Sequence, residues 1–163
     1  MFADNQQERL DPRWIAGFVD GEGCFHVSIN RNPKSTRLGW QVLPEFRIVQ
    51  HQRDEKLLQR LQRYFGCGQV VVNHGDRKEL RIRGIKNLLN VVDFFQKYRL
   101  QTSKCESFDV FAKILKIMED EKHHEMSGII QIAKLASQMN RKTERLSRIL
   151  RDYTPNKPNG LKI

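Results

Sequence analysis

The 163-residue sequence holds three cysteines, Cys24, Cys67 and Cys105, far apart and with no Cys-x-x-Cys pair. An odd, scattered set makes a reducing compartment and the absence of structural zinc the default. No apolar run approaches the roughly 18 residues that mark a membrane-spanning helix, and no lipidation signal is present, so no membrane partner is expected. The opening residues, Met-Phe-Ala-Asp-Asn-Gln-Gln-Glu, carry neither a secretory apolar core nor the Arg/Ser-rich, acid-poor pattern of a transit peptide. Acids are scarce beside bases: 19 Asp and Glu face 29 Lys and Arg, a net charge of +10. That balance favours a polyanionic partner over a small-molecule substrate. Of five histidines, His123 and His124 are adjacent, but neither has a helical His-x-x-x-His or Cys companion, and they read as surface residues.

Hydrophobic residues make up 39% of the chain, enough for one core. Asp11-Pro12 reads as an N-cap and a first helical proline, and that helix runs to Glu22, where Gly23 stops it. From Cys24 to Asn30 the pattern alternates, with Phe25, Val27 and Ile29 on one face. Arg31 to Arg37 is a basic hairpin loop, and a second strand spans Trp40 to Gln50 with Val42, Phe46 and Ile48 inward. Pro44 is a defect in that strand and predicts a bulge or an edge position. Asp54 caps a helix that Gly66 ends. Gln69–Asn73 and Lys78–Arg83 form a hairpin with Leu80 and Ile82 inward. Helices follow over Ile85–Tyr98 and after Ser103, where Ser103 and Glu106 fit a capping box. Two more helices are expected over 125–151, separated near 139–141, and the Pro/Asn/Lys/Gly tail reads as disordered. The order is αββαββα, an α+β sandwich with a four-stranded antiparallel sheet covered by helices on one face. It divides into a segment 1–10, a core 11–120, a helical extension 121–153 and a tail 154–163.

The uncovered sheet face and its loops present His26, Ser28, Asn30, Asn32, Lys34, Arg37, Gln41, Arg47, Gln69, Asn73, Arg77, Arg81 and Arg83. Such groups can read base edges when strands enter a DNA major groove. A merely solvated face would carry similar residues, and the clustered arginines with the basic loop favour nucleic acid.

One stretch, Ile15 to Gly23, resists a simple account. Glycine inside a helix costs about 0.5–1 kcal/mol relative to alanine, yet Gly17 and Gly21 lie four apart on one face, with Ala16 at its edge. A close helix–helix contact would justify them. Asp20 and Glu22 sit at the helix end, where acids gain nothing from the dipole. Either a divalent metal site or a solvent-exposed helix end would explain them.

Position for position this stretch resembles the LAGLIDADG motif of homing endonucleases. The likeness continues through Phe-Arg-Ile-Val-Gln at 46–50, Tyr-Phe-Gly-Cys-Gly at 64–68, Leu-Arg-Ile-Arg at 80–83 and Leu-Gln-Thr-Ser-Lys at 100–104. It covers about residues 13–118. The resemblance implies a site-specific endonuclease of double-stranded DNA, encoded within an intron and leaving staggered 3′ overhangs. The motif occurs once, and single-copy members are homodimers; Ala16, Gly17, Asp20 and Gly21 then form the seam, and the target is long and roughly palindromic.

The same resemblance makes Glu22 the metal-binding acid, beside the Gly21 carbonyl, with Mg²⁺ as cofactor. Mn²⁺ is expected to substitute, and Ca²⁺ to support binding without cleavage. Asp20 takes a structural part at the helix end. Gln50 corresponds to the family's water-orienting residue and Lys104 to its phosphate-stabilising lysine, although a shifted alignment would set Gln101 there; Arg53 stands near as a further cation. An organelle-encoded gene or a bacterial cytoplasm fits equally. The competing reading keeps the fold as an RNA maturase or a non-cleaving DNA-binding protein.

Overall fold

Asp11 opens the first helix as expected. Its carboxylate accepts from the amides of Arg13 (2.8 Å) and Trp14 (3.0 Å), and Pro12 fills the first position, where no amide is needed. In the computed structural model, which describes residues 9–139 together with 149 and 151, this helix α1 spans Pro12–Glu22. Gly23 ends it in extended geometry, and no other residue would fit. A Cβ there would stand 2.5 Å from Val19 Cγ1 and 2.9 Å from the Val19 carbonyl oxygen.

The chain continues through β1 (Gly23–Arg31), β2 (Trp40–His51), α2 (Glu55–Phe65), β3 (Gln69–His74), β4 (Arg77–Ile82), α3 (Ile85–Lys97), α4 (Lys104–Glu119) and α5 (Met126–Met139). The four strands form one antiparallel sheet in the order β1-β2-β4-β3. Alternation places Phe25, Val27, Ile29, Val42, Phe46, Ile48, Leu80 and Ile82 under the helices, all buried. At the centre, Phe25 meets Phe46 at 5.1 Å, Phe108 at 5.3 Å and Phe111 at 5.3 Å between ring centroids. The fold is thus the expected α+β arrangement.

Pro44 makes no bulge: it faces Val27 in an unbroken register. β4 pairs with β2 only from Phe46 onward, so the side of Pro44 that lacks a donor faces no strand. Ser103 makes no side-chain cap; its backbone is already helical. The hydroxyl of Thr102 accepts from the Lys104 amide instead, at 3.2 Å. His123 is half-buried rather than exposed, with its ring 4.0 Å from that of His124. Burial, with His124 beside it, lowers its pKa. Most of the second expected C-terminal helix and the whole tail lie outside the described residues. No helix among the described residues is long and apolar enough to cross a membrane.

Candidate active site

Three elements converge where α1 ends. Glu22, the last residue of α1, is exposed, and its Oε2 accepts from Gln50 Nε2 at 3.1 Å. Gln50 arrives near the end of β2, whose register fixes it opposite Lys78 on β4. Lys104 comes from the first turn of α4, 82 residues beyond Glu22 in sequence, and its ammonium donates to the carbonyls of Val19 (3.0 Å) and Gly21 (3.1 Å).

The physical reason for that contact lies in α1 itself. The last carbonyls of a helix carry the negative end of its dipole; that of Val19 already accepts the closing bond from the Gly23 amide, and that of Gly21 lies past this bond. With no basic residue in the last turn of α1, the cation is supplied from α4. Burial lowers the Lys104 pKa, and Asp20, Cys24 and Glu22 oppose that shift. Gln101, the alternative for this place, turns away and donates its side-chain amide to the Arg99 carbonyl at 3.0 Å.

Asp20 tethers the loop that delivers Lys104. Its carboxylate accepts from the Gln101 amide (2.7 Å), the Thr102 amide (3.1 Å) and the Thr102 hydroxyl (2.6 Å). Half-burial acts to raise its pKa, and these hydrogen bonds with the Lys104 charge overcome it, so the net shift is downward. A depressed carboxyl contributes stability above its unfolded value near 4 and loses it as pH falls through the lower folded value. Asp20→Asn should therefore cost about 1–2 kcal/mol at neutral pH, within the range for hydrogen bonds to a charged group after allowance for exposure. The difference from the parent should close below about pH 4 in melts taken across an acid series. An unchanged gap down to pH 2 would place the effect elsewhere.

The oxygen donors at this end, the Glu22 carboxylate and the Gly21 carbonyl, suit a hard divalent cation. Among the described residues there is no group of three or more His, Cys, Asp or Glu able to enclose one. Magnesium, which keeps several of its waters and takes few protein carboxylates, fits such a sparse set if phosphate oxygens and a second chain complete it. Arg53 stands off, exposed, 3.6 Å from Asp54.

The small-residue face also sorts itself. Gly17 and Gly21 are exposed, and a Cβ on either would meet nothing within 4 Å. Trp14, 45% exposed, stacks on Phe18 at 5.0 Å along the same stripe. Ala16 is different: at 7% exposure it already belongs to the chain's own core and has little surface left for a partner.

On the open sheet face, His26, Ser28, Gln41, Arg47 and Arg81 are half-buried, and Asn30, Gln69, Asn73, Arg77 and Arg83 are exposed. Asn32 Nδ2 donates to Gln41 Oε1 at 2.8 Å, tying the basic loop to β2, while Lys34 and Arg37 extend from that loop. Alternation also turns Glu45 and Glu79 to this outward face, and the structure buries both there among arginines. Alternation gives their side of the sheet but not their burial.

A profile of the LAGLIDADG endonuclease family matches residues 15–115. The chain belongs to this family. A LAGLIDADG relative of known structure, the homing endonuclease I-TnaI, shares 50% identity at a TM-score of 0.83, over 88% of this chain and 97% of that one. I-SmaMI bound to an uncleaved DNA target in the presence of calcium ions shares 29% identity at a TM-score of 0.84, over 91% of this chain and 51% of that one. "Probable intron-encoded endonuclease 2" of Neurospora crassa is 34% identical over 134 residues, 80% of this chain and 29% of that protein. The present chain thus spans under a third of the length of that curated LAGLIDADG relative.

Proposed function

We propose that this chain is one half of a two-fold, magnesium-dependent endonuclease that cuts double-stranded DNA at a long, roughly palindromic site. The observation that carries the reading is the meeting of Glu22, Gln50 and Lys104 at one helix end, beside an exposed glycine stripe. Among the described residues each chain brings one uncommitted carboxylate there, that of Glu22, and cutting two strands needs two such sets. Packing α1 against its copy along Gly17 and Gly21, with Trp14 and Phe18 flanking, brings the two ends together.

A divalent cation bound there supplies charge neutralisation for the scissile phosphate and acidifies water. Glu22 would hold such a cation, with the lone pair of the Gly21 carbonyl that Lys104 leaves free. Gln50, whose amide already reaches Glu22, orients that carboxylate and a neighbouring water. Lys104 sits within reach of the same carbonyl and offsets charge that builds on the phosphate. Manganese substitutes, and calcium supports binding without cutting. The sheet face from His26 to Arg83 then reads one half-site per chain. The intron-encoded relative supports an intron origin.

Lys104→Met keeps the length of the stem and removes the charge. Single-turnover cleavage should fall about a hundredfold or more, the scale for losing one preorganised charge-stabilising group, while the affinity for the target changes little. A variant that cleaves at the parent rate would reduce Lys104 to a cap for α1. Selection of a randomised duplex library with magnesium tests the whole reading: discrete products from one near-palindromic sequence are expected. Selective binding without cuts in any metal would favour the maturase or regulator.

A further inference from the structure

The face assigned to DNA contains two carboxylates that phosphates would repel, and neither is free to swing away. Glu45 is 7% exposed and Glu79 is fully buried. Glu45 Oε2 accepts from Arg83 Nε at 3.0 Å and lies 3.0 Å from Arg83 Nη2, a two-pronged grip. Arg81 Nε stands 3.5 Å from the same oxygen, and His26 Nδ1 is 3.9 Å from the other. Glu79 accepts from Asn73 Nδ2 at 2.9 Å and pairs with Arg81 Nη2.

The strand register explains why these acids are there. Arg47 and Arg81 are direct cross-strand partners, and like charges so placed repel. Glu45 lies two residues before Arg47 on β2, and Glu79 two before Arg81 on β4, so an acid borders the arginine pair on each side. Burial acts to raise the Glu45 pKa; the Arg83 hydrogen bond and charge, with Arg47 and Arg81, bring it down on balance, and the acid is ionised.

We propose that Glu45 and Glu79 are positioning residues for sequence recognition: they hold Arg83, Arg81 and Asn73 in one orientation, so that their donors meet base edges rather than the nearest phosphate. This rests on the DNA-binding reading above. An untethered arginine folds onto whichever phosphate is close and binds every duplex alike. One gripped through Nε and Nη2 by a buried carboxylate keeps its other Nη group directed outward. The acids thus give up non-specific attraction and gain discrimination.

The test uses the full chain and a duplex selected from a randomised library, without divalent metal so that nothing is cut. Affinity is compared with that for random duplex at about 150 mM salt, where non-specific binding is weak, and then across every single-base-pair change in the target. In Glu45→Gln the preference for target should fall about tenfold or more, the discrimination one good bidentate contact supplies. Random-duplex affinity should hold or rise. The loss should fall on the same base pairs that Arg83→Gln relaxes, and the double variant should lose no more than Arg83→Gln alone. Equal weakening on target and random DNA, loss spread evenly over the site, or additive effects in the double variant would each overturn the proposal. Should Glu45→Gln not fold, Glu45→Asp, which keeps the charge but shortens the arm, must show the same positional relaxation. A parent protein with no preference for any duplex would defeat the DNA-binding reading, whereas a discriminating parent with an equally discriminating Glu45→Gln defeats this inference alone.

Discussion

Glu22→Gln should yield a protein that folds and holds its duplex but no longer cuts it. The side chain keeps its shape, it is exposed, and glutamine can still exchange a hydrogen bond with Gln50. The melting curve should therefore match that of the parent. What disappears is the anionic oxygen, and a hard divalent cation depends on it where the described residues offer so few other donors. Losing an outer partner of a metal ligand typically costs 10–100-fold in metal affinity or activity, so losing the ligand itself should cost at least about a hundredfold in cleavage. Target affinity should stay equal or tighten, because one negative charge has left the neighbourhood of the phosphates. The paired readout is cleavage of the selected duplex with magnesium and a gel shift of the same duplex. Parent-rate cutting by the variant would place the essential acid elsewhere; loss of binding and cutting together would give Glu22 a structural part.

Local signals made much of this fold legible. Asp11-Pro12 and Gly23 bound α1 through capping chemistry and a close backbone approach, both determined within a few residues. Strict alternation assigned Phe25, Val27 and Ile29 to the core because a sheet with one covered face punishes any slip of register. What escaped the sequence depends on residues that meet only in the folded chain. The Asp20–Thr102 contact joins positions 82 apart, and it moves the cap of α4 from Ser103 to Thr102. Lys104 reads as a phosphate-facing cation by resemblance, yet its ammonium also donates to the last carbonyls of α1, a contact visible only when α4 is packed beside them. Alternation turns Glu45 and Glu79 outward, whereas the surrounding arginines and strands close over them. Pairing of charge across strands, rather than alternation alone, is the rule that would have found them.

These contacts also give the end of α1 a consistent logic. Asp20 points to the loop before α4 and fixes it, while Glu22, two residues later, turns to Gln50. One acid is thereby committed to structure and its neighbour left exposed. Substitutions at the two positions should accordingly separate in stability: Asp20 variants lose acid-dependent stability, whereas Glu22 variants melt like the parent and lose cleavage.

Gly17→Leu should convert the protein to a folded monomer that has lost double-strand cleavage. Within one chain Gly17 is exposed and a Cβ there meets nothing within 4 Å, so a side chain has open space to enter. Leucine is the better helix former by roughly 0.8–1 kcal/mol, so α1 itself should be slightly favoured. Between chains the outcome reverses. Two helices crossing at glycines approach backbone to backbone, and a leucine on each side forces them apart by more than the side chains of the seam can absorb. The two Glu22 carboxylates would then no longer meet across one duplex. Sedimentation at a concentration where the parent is dimeric should show the monomer mass, with an unchanged circular dichroism spectrum and at most residual nicking of single strands. A leucine variant that stays dimeric and cuts both strands would mean that the exposed glycine stripe is not the seam, and that the two-fold assembly uses another face.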